Sequence, residues 1–545
     1  MKKKNKDPFN RVLDGFDNTV AQITSWGRDA EENETLDMLC TAIARFGERH
    51  VDDAEIDAQA RMPAEILEAA AEMGLFGLTI EEQYGGAGLS MKGSCRIIEA
   101  LAAIDRSLGV SIGLHAGLGL RGLNRYGGPE LKQRYLPELA SGKAIACFAI
   151  TESEAGSDIA AVRTTAVEDG DELVIDGTKI YATNAGFASL ATIVARTPGL
   201  GGSRRGHSMI LVPLDKPGVT RDAEEYKLGL KGSSTRSLHF ENVRVAKDHL
   251  IGTPSRGLDN LNHVLSWGRT LMAAGCIGLA RTALERTLEQ VTNRRQFNRA
   301  IGEFGMVRSM LAAMRSGIHA MESVIRLCTR LEDEQPESIA WESSVAKVFC
   351  SEHAWQTADD TVQLHGGSGF IEDTGVARLL RDCRITRIFE GANELLRFHM
   401  ASAAFTWKQA RLAEAQELAG MLEPPFKEHG QFFDELLRKF AAALAERKKK
   451  FGLKVFKRQM DQRRIADAAG ALYIMLSLLA RAKGESDAGK LSDEMLAWTL
   501  HGLDGQARLV EANLQGLSSN RDDLENQIAA AECARIGMPL EETVS

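Results

Sequence analysis

Residues 148–158 read Phe-Ala-Ile-Thr-Glu-Ser-Glu-Ala-Gly-Ser-Asp, and the texture of the chain changes there. An apolar run opens into a loop of hydroxyls, carboxylates and small side chains. The run predicts a strand. The loop offers backbone N–H groups and Ser/Thr donors that suit a phosphate or a polar ring edge; a capped turn without a ligand is the plainer alternative. Upstream, residues 28–140 read as mostly helical, with Ile66, Leu67, Ala70, Met73 and Leu75 recurring near the helical period. Downstream, β-type runs at 144–150, 172–175, 190–195, 209–213 and 237–240 alternate with turns such as Asp169-Gly170-Asp171. They predict an all-β domain of about 100 residues. Helical texture returns near Gly257 and holds to about Ala404. Pro424-Pro425 breaks it, and another helical block runs to Arg535. The 545 residues therefore divide into an N-terminal arm (1–34), a helical domain (35–144), a middle β domain (145–250), a helical bundle (251–404) and a helical extension (405–545).

Composition narrows the function. With 44% hydrophobic and 26% charged residues, the chain reads as a soluble globular protein. A net charge of -9 argues against a general nucleic-acid binder. The eight cysteines form no C-x-x-C pair and no Cys/His cluster with zinc spacing, so no metal is expected. They read as small buried hydrophobes in a reducing compartment. No apolar run follows Met1-Lys2-Lys3-Lys4, so no secretory signal is expected. No run of about 18 apolar residues is expected to span a bilayer. A cytoplasmic protein is the default. No G-x-G-x-x-G follows a strand, and P-loop and G-x-S-x-G signatures are absent, so dinucleotide folds, P-loop enzymes and serine hydrolases lose support.

Two later segments carry chemistry. In Gln363-Leu364-His365-Gly366-Gly367-Ser368-Gly369-Phe370, paired glycines admit a close backbone or ligand, or simply end a helix. In Arg384–Glu394, Glu390 lies between Phe389 and Gly391 after an apolar stretch. Burial there would raise its pKa toward the range of a general base; a surface carboxylate before a turn is the alternative.

Taken together, Thr151-Glu152, Ala155-Gly156-Ser157-Asp158, Tyr181-Ala182-Thr183-Asn184, Arg294 with Gln296-Phe297, Gln363 with Gly366-Gly367, and Phe389-Glu390-Gly391 resemble, in order and spacing, the acyl-CoA dehydrogenase family over residues 35–405. The extension to 545 resembles the very-long-chain branch, as do Glu303-Phe304-Gly305 and Arg387–Gly391. The resemblance implies a mainly α fold with a central β domain: an N-terminal helical domain, a middle β-barrel-like domain and a C-terminal bundle, plus an extra helical domain. It implies FAD as cofactor and dehydrogenation of a medium to very long fatty acyl-CoA to trans-2-enoyl-CoA in β-oxidation. A homodimer and an electron-transfer flavoprotein partner are implied too. An acyl-CoA oxidase using O2, or a low-activity assembly scaffold on the same fold, are the rivals.

Residue by residue, the resemblance assigns Phe148, Ile150, Thr151, Gly156 and Ser157 to the flavin-contacting stretch, with Ser157 also near the thioester. Tyr181 stands where the family has Trp, and Thr183 falls near flavin N5. Arg294, Gln296 and Phe297 match positions reaching a neighbouring subunit's FAD pyrophosphate, and Gln363, Gly366 and Gly367 its adenosine half. Ala392, Asn393 and Glu394 match the FAD-contacting turn. Arg269 matches a CoA contact and Gly391 a substrate contact. Glu390 matches the base that takes the α proton while the β hydride passes to flavin N5. Some members hold their base at the position of Gly268, which cannot serve. Ser153 and Ala392 also depart from the usual Pro and Thr. Ser111 and His115 match the acyl-pocket floor, where His115 would fill space that a long tail needs; a packed core histidine is the plainer alternative.

The stretch Arg447–Arg458 holds seven basic and no acidic residues. Phe433, Leu437, Phe440, Leu444, Phe451 and Val455 fall near one helical stripe with it. Such a helix suits peripheral contact with an anionic membrane, here the inner face of the cell membrane, or else a solvated basic face packed on the body.

Overall fold

The computed structural model describes residues 7–203, 206–415 and 417–538. They form two compact units. One comprises the described residues of 25–314 and 328–392; the other those of 1–24, 315–327 and 393–545.

In the first unit eight strands build the β domain: β1 (Ala146–Ala149), β2 (Thr165–Asp169), β3 (Glu172–Thr183), β4 (Leu190–Arg196), β5 (His207–Pro213), β6 (Val219–Arg221), β7 (Thr235–Ala246) and β8 (Leu250–Ile251). Their order is β6-β7-β3-β2-β4-β5-β8, and β1 pairs parallel with β4, Ala146 beside Leu190. All five β-type runs of the sequence fall on strands. The polar β2 and the continuation of β3 to Thr183 lack that signal, because their residues are placed by ladder pairing rather than by a run of apolar side chains. Leu173, Ile175, Ile193, Ile210, Val212, Leu238 and Phe240 fill the interior. Each such side chain contributes about 1.5–3 kcal/mol on burial.

Helices flank the sheet within this unit. Asp105 separates Met91–Ile104 from Arg106–Leu114. Its carboxylate accepts from Leu108 N at 2.7 Å and caps the second helix. A single π turn, His115–Gly119, follows. The long helix Gly257–Asn293 packs on Met91–Ile104 with backbones touching: a Cβ on Gly278 would lie 2.2 Å from Glu99 O. Only glycine permits that crossing.

The second unit centres on the helix Gln459–Asp487. By length and composition this helix could cross a membrane, with a mean hydropathy of 1.5 over its most apolar stretch, yet 94% of that stretch is buried. It is a core helix. Asp467 and Arg481 bound its apolar run, which is why the sequence shows no uninterrupted apolar stretch of spanning length there. Arg397 Nε meets Asp467 Oδ1 at 2.7 Å, and the helix Asn393–Thr406 groups with this unit. Residues up to Thr24 do so too: Arg326 Nη1 donates to Ile23 O at 3.2 Å. The grouping by contact thus crosses the linear divisions at 34/35 and 404/405.

The basic stretch lies here as well. Phe433, Leu437, Phe440, Leu444 and Val455 are all buried within the unit. The helix Lys427–Phe451 therefore uses its apolar stripe in packing and does not hold it free for lipid. Leu453, in the following 3-10 turn, is 85% exposed. All eight cysteines are free, six of them buried. No group of metal-ligating side chains occurs among the described residues.

Candidate active site

The loop opening at Phe148 is held from beneath by Glu152. Its carboxylate accepts from Arg163 N at 2.6 Å, Thr164 N at 3.0 Å, Thr164 Oγ1 at 2.5 Å and Lys179 Nζ at 2.6 Å. Lys179, fully buried on β3, also donates to Ile150 O at 3.1 Å. Burial lowers the Lys179 ammonium to about 8. Burial pushes Glu152 upward, but the bonds from Lys179, Thr164 and Arg163 N outweigh it and hold the carboxyl below its ordinary range. Thr151 lies between two residues, Ile150 and Glu152, that are fixed in this way.

Above this platform is a cavity of about 140 Å³. Phe148, Ile150, Thr151, Tyr181 and Thr183 line its sheet side. Gly109, Val110 and Gly113 line it from the helix Arg106–Leu114, and Gly268, Leu271 and Met272 from the long helix. Glu390 closes one wall.

Glu390 follows the 3-10 turn Ile385–Arg387 and has φ 57°, with Gly391 at 98°. A non-glycine residue there costs about 1–2 kcal/mol and must be held. Arg269 Nε donates to Glu390 O at 3.2 Å, and Lys347 Nζ donates to Gly391 O at 2.9 Å. Arg269 is 8% exposed and Lys347 fully buried. Although Glu390 keeps some exposure at the cavity, its Oε2 is shut from solvent and has no hydrogen-bond partner. Gly268 makes the room: a Cβ there would lie 2.7 Å from that oxygen and 2.5 Å from Leu118 Cδ2. Burial pushes Glu390 up to about 7, against the pull of Arg269, Lys347 and Arg106. Burial also lowers Arg269 to about 10 and Lys347 to about 8.

The other expected residues divide. Gly156 and Ser157 lie on the exposed edge of the loop. Arg294, Gln296 and Phe297 sit on or beside the small hairpin Arg295–Gln296/Arg299–Ala300, all exposed, and Gln363, Gly366 and Gly367 sit at an exposed helix end. None of these lines the cavity. Gly391 and Ala392 are half-buried beside Glu390, while Asn393 and Glu394 open the helix Asn393–Thr406.

His115 does not fill the pocket. Its Nδ1 accepts from Ala146 N at 3.0 Å, so Nε2 carries the proton and donates to Phe76 O at 3.1 Å. Burial lowers it to about 4 and keeps it neutral. It is a satisfied core histidine, and Ser111 beside it is buried too. The residues facing the cavity are Ile98, Gly109, Val110 and Gly113 instead. Sequence reasoning missed Lys347 and Arg106. The signal for Lys347 was a lone cation inside the apolar run Val345-Ala346-Lys347-Val348-Phe349.

A flat ring with a polar edge fits the sheet side. The Thr151 and Thr183 hydroxyls make no hydrogen bond among the described residues, and both face the cavity. Tyr181, at φ 58°, is 62% exposed.

Three family models match in series: the acyl-CoA dehydrogenase N-terminal domain over 33–143, the middle domain over 147–243 and the C-terminal domain over 255–405. The mouse mitochondrial very long-chain specific acyl-CoA dehydrogenase is 31% identical over 489 residues, 83% of this chain and 74% of that one. An acyl-CoA dehydrogenase from Bacillus anthracis, solved with FAD, shares the fold at a TM-score of 0.81 and 27% identity, covering 91% of this chain and 90% of its own. A chain solved in work on the electron transferring flavoprotein of Acidaminococcus fermentans matches at 0.65 and 29% identity, covering 68% and 98%. The domain series, the long alignment and the shared architecture place this chain in the acyl-CoA dehydrogenase family, as an FAD-dependent oxidoreductase of acyl-CoA thioesters.

Proposed function

We propose that the chain converts a saturated acyl-CoA to its trans-2-enoyl-CoA, with Glu390 as the base. One observation carries the reading. The Glu390 carboxylate presents an unpartnered Oε2 in the space left by Gly268, and burial holds its pKa near 7. A thioester α proton is weakly acidic, and a base titrating near the working pH combines ionised fraction with proton-taking power best. FAD, when bound, supplies the acceptor for the β hydride. Arg269 and Lys347 keep the Glu390–Gly391 backbone in its left-handed turn, so the carboxylate is positioned before substrate arrives. Thr151, Tyr181 and Thr183 form the face for the flavin ring, with Phe148, Ile150, Gly156 and Ser157 around it; the two free threonine hydroxyls support this.

Arg294, Gln296, Phe297, Gln363, Gly366 and Gly367 serve a second copy's cofactor in a homodimer on this reading. Support comes from the exposed apolar surface beside them, Phe297, Met306, Phe370 and Ile371. An electron-transfer flavoprotein is the proposed acceptor. Contact with an anionic membrane falls to Leu453 and the lysines of 448–457, because the apolar stripe is already packed. Neutralising Lys449, Lys450 and Lys454 should then abolish co-sedimentation with anionic vesicles; unchanged co-sedimentation rejects the contact.

The decisive experiment mixes the yellow holoprotein anaerobically with saturated acyl-CoAs of graded length. Flavin bleaching is expected for at least one length. No bleaching at any length rejects the reading and favours the scaffold. Bleaching with rapid recovery in air favours the oxidase.

A further inference from the structure

The cavity has a second charged wall. Arg106 lines it and is only 4% exposed. Among the described residues it forms no ion pair, and its Nε has no hydrogen-bond partner. Its remaining contacts are weak: Nη2 lies 3.4 Å from Met272 O and 3.9 Å from Cys276 Sγ. Gly275 makes room for it, since a Cβ there would meet Nη1 directly. A guanidinium removed from water with no carboxylate in hydrogen-bond reach is costly, and fixed donors in a fork suit a carboxylate.

Its place along the cavity is set by one continuous helix. Gly268 faces Glu390, while Gly275 faces Arg106. Seven residues at the α-helical rise separate the two contacts by about 10 Å. Between them the lining is apolar or bare: Val110, Leu271 and Met272, with Gly109 and Gly113. The cavity is thus an apolar passage with a carboxylate base near one end and a vacant cation at the other.

We propose that Arg106 is a specificity-determining residue that binds an anionic group at the far end of the acyl chain. The favoured substrates are then ω-carboxyacyl-CoAs whose chains span about 10 Å beyond the reacting carbons. This rests on the reading of Glu390 as the base, which fixes where the thioester lies. A terminal carboxylate would complete the fork that the protein leaves open, and a terminal methyl would leave Arg106 desolvated and unpaired.

The test compares kcat/KM of the holoenzyme for straight-chain acyl-CoAs and their ω-carboxy counterparts of equal carbon number, from short to long. At the matching length the ω-carboxy thioester should be preferred by about 10- to 100-fold. Arg106→Met should collapse that ratio by the same factor. Arg106→Lys, which keeps charge but loses the fork, should give an intermediate ratio, with flavin content reporting that both variants fold. An equal fall on both substrate series in Arg106→Met, or no preference at any length in the parent enzyme, overturns the proposal. Reduction of the flavin by plain acyl-CoAs alone overturns it while sparing the dehydrogenase reading. Absence of reduction by either series overturns both.

Discussion

Glu390→Gln is expected to lower the rate of flavin reduction by acyl-CoA about 10²- to 10⁴-fold while leaving FAD bound. The amide has nearly the same shape and cannot take a proton. Arg269 and Lys347 grip backbone carbonyls rather than the carboxylate, so the turn should survive the change. The pH profile gives a second readout. The Glu390 carboxyl is raised to about 7, so kcat/KM should climb as pH rises through that value and level off above it. The variant should lose this limb. Stability should move the other way. A carboxyl raised above its ordinary 4.5 binds its proton more tightly folded than unfolded. Its cost to folding is absent below that ordinary value, grows as pH rises, and is complete above about 7. The amide escapes this cost, so Glu390→Gln should unfold at higher denaturant than the parent at pH 8, by up to about 3 kcal/mol, and equally at pH 4. A variant that still reduces its flavin at the parental rate would falsify the assignment of the base.

Glu152→Gln is expected to be the most destabilising change near the flavin platform, by about 3–5 kcal/mol. It leaves the Lys179 ammonium fully buried with the Ile150 carbonyl and an amide oxygen in place of its counter-charge. It also weakens the bonds to Arg163 N, Thr164 N and Thr164 Oγ1. Chemical denaturation at neutral pH, together with flavin content after gel filtration, measures both consequences; flavin should be lost because Thr151 sits on the segment these bonds hold. The pH dependence has a definite sign. Glu152 is held below its ordinary range, so its contribution is present at neutral pH and is lost as pH falls through its folded value. The gap between parent and variant should therefore shrink on acidification. A constant gap would mean that the charge is not what matters.

Local pattern revealed much of this protein and concealed the rest for identifiable reasons. The strands at 146–149, 190–196 and 207–213 were legible because nearly all of their residues are buried and apolar. Glu390 stands out through the resemblance that Phe389-Glu390-Gly391 carries; locally it fits a surface carboxylate before a turn as well. The Glu152–Lys179 pair was not legible, since 27 residues separate the partners and one lies in the loop after β1 while the other lies on β3. Lys347 and Arg269 reach the turn at Glu390 from two helices far apart in sequence, so neither spacing nor periodicity predicts them. For His115 the resemblance points to a pocket floor and the residue type to a packed core histidine; its two hydrogen bonds, to Phe76 and Ala146, decide for the core and are invisible without the packing. The amphipathic stripe at 433–455 also shows the limit of periodicity. It announces that a face will be covered and does not say by what.

Gly268 and Glu390 share one volume. The missing side chain at 268 leaves space that the carboxylate at 390 and the Leu118 side chain occupy. On the reading of Glu390 as the base, relocating it to position 268 is therefore a coupled change at two positions. Adding a carboxylate at 268 first crowds two acids into a space for one, and removing Glu390 first leaves none. Adding an acid at 268 while removing the one at 390, as in Gly268→Glu with Glu390→Gly, keeps one acid in that volume. The two arrangements are separated by a barrier in sequence space, although little more than the width of a side chain separates them in the fold.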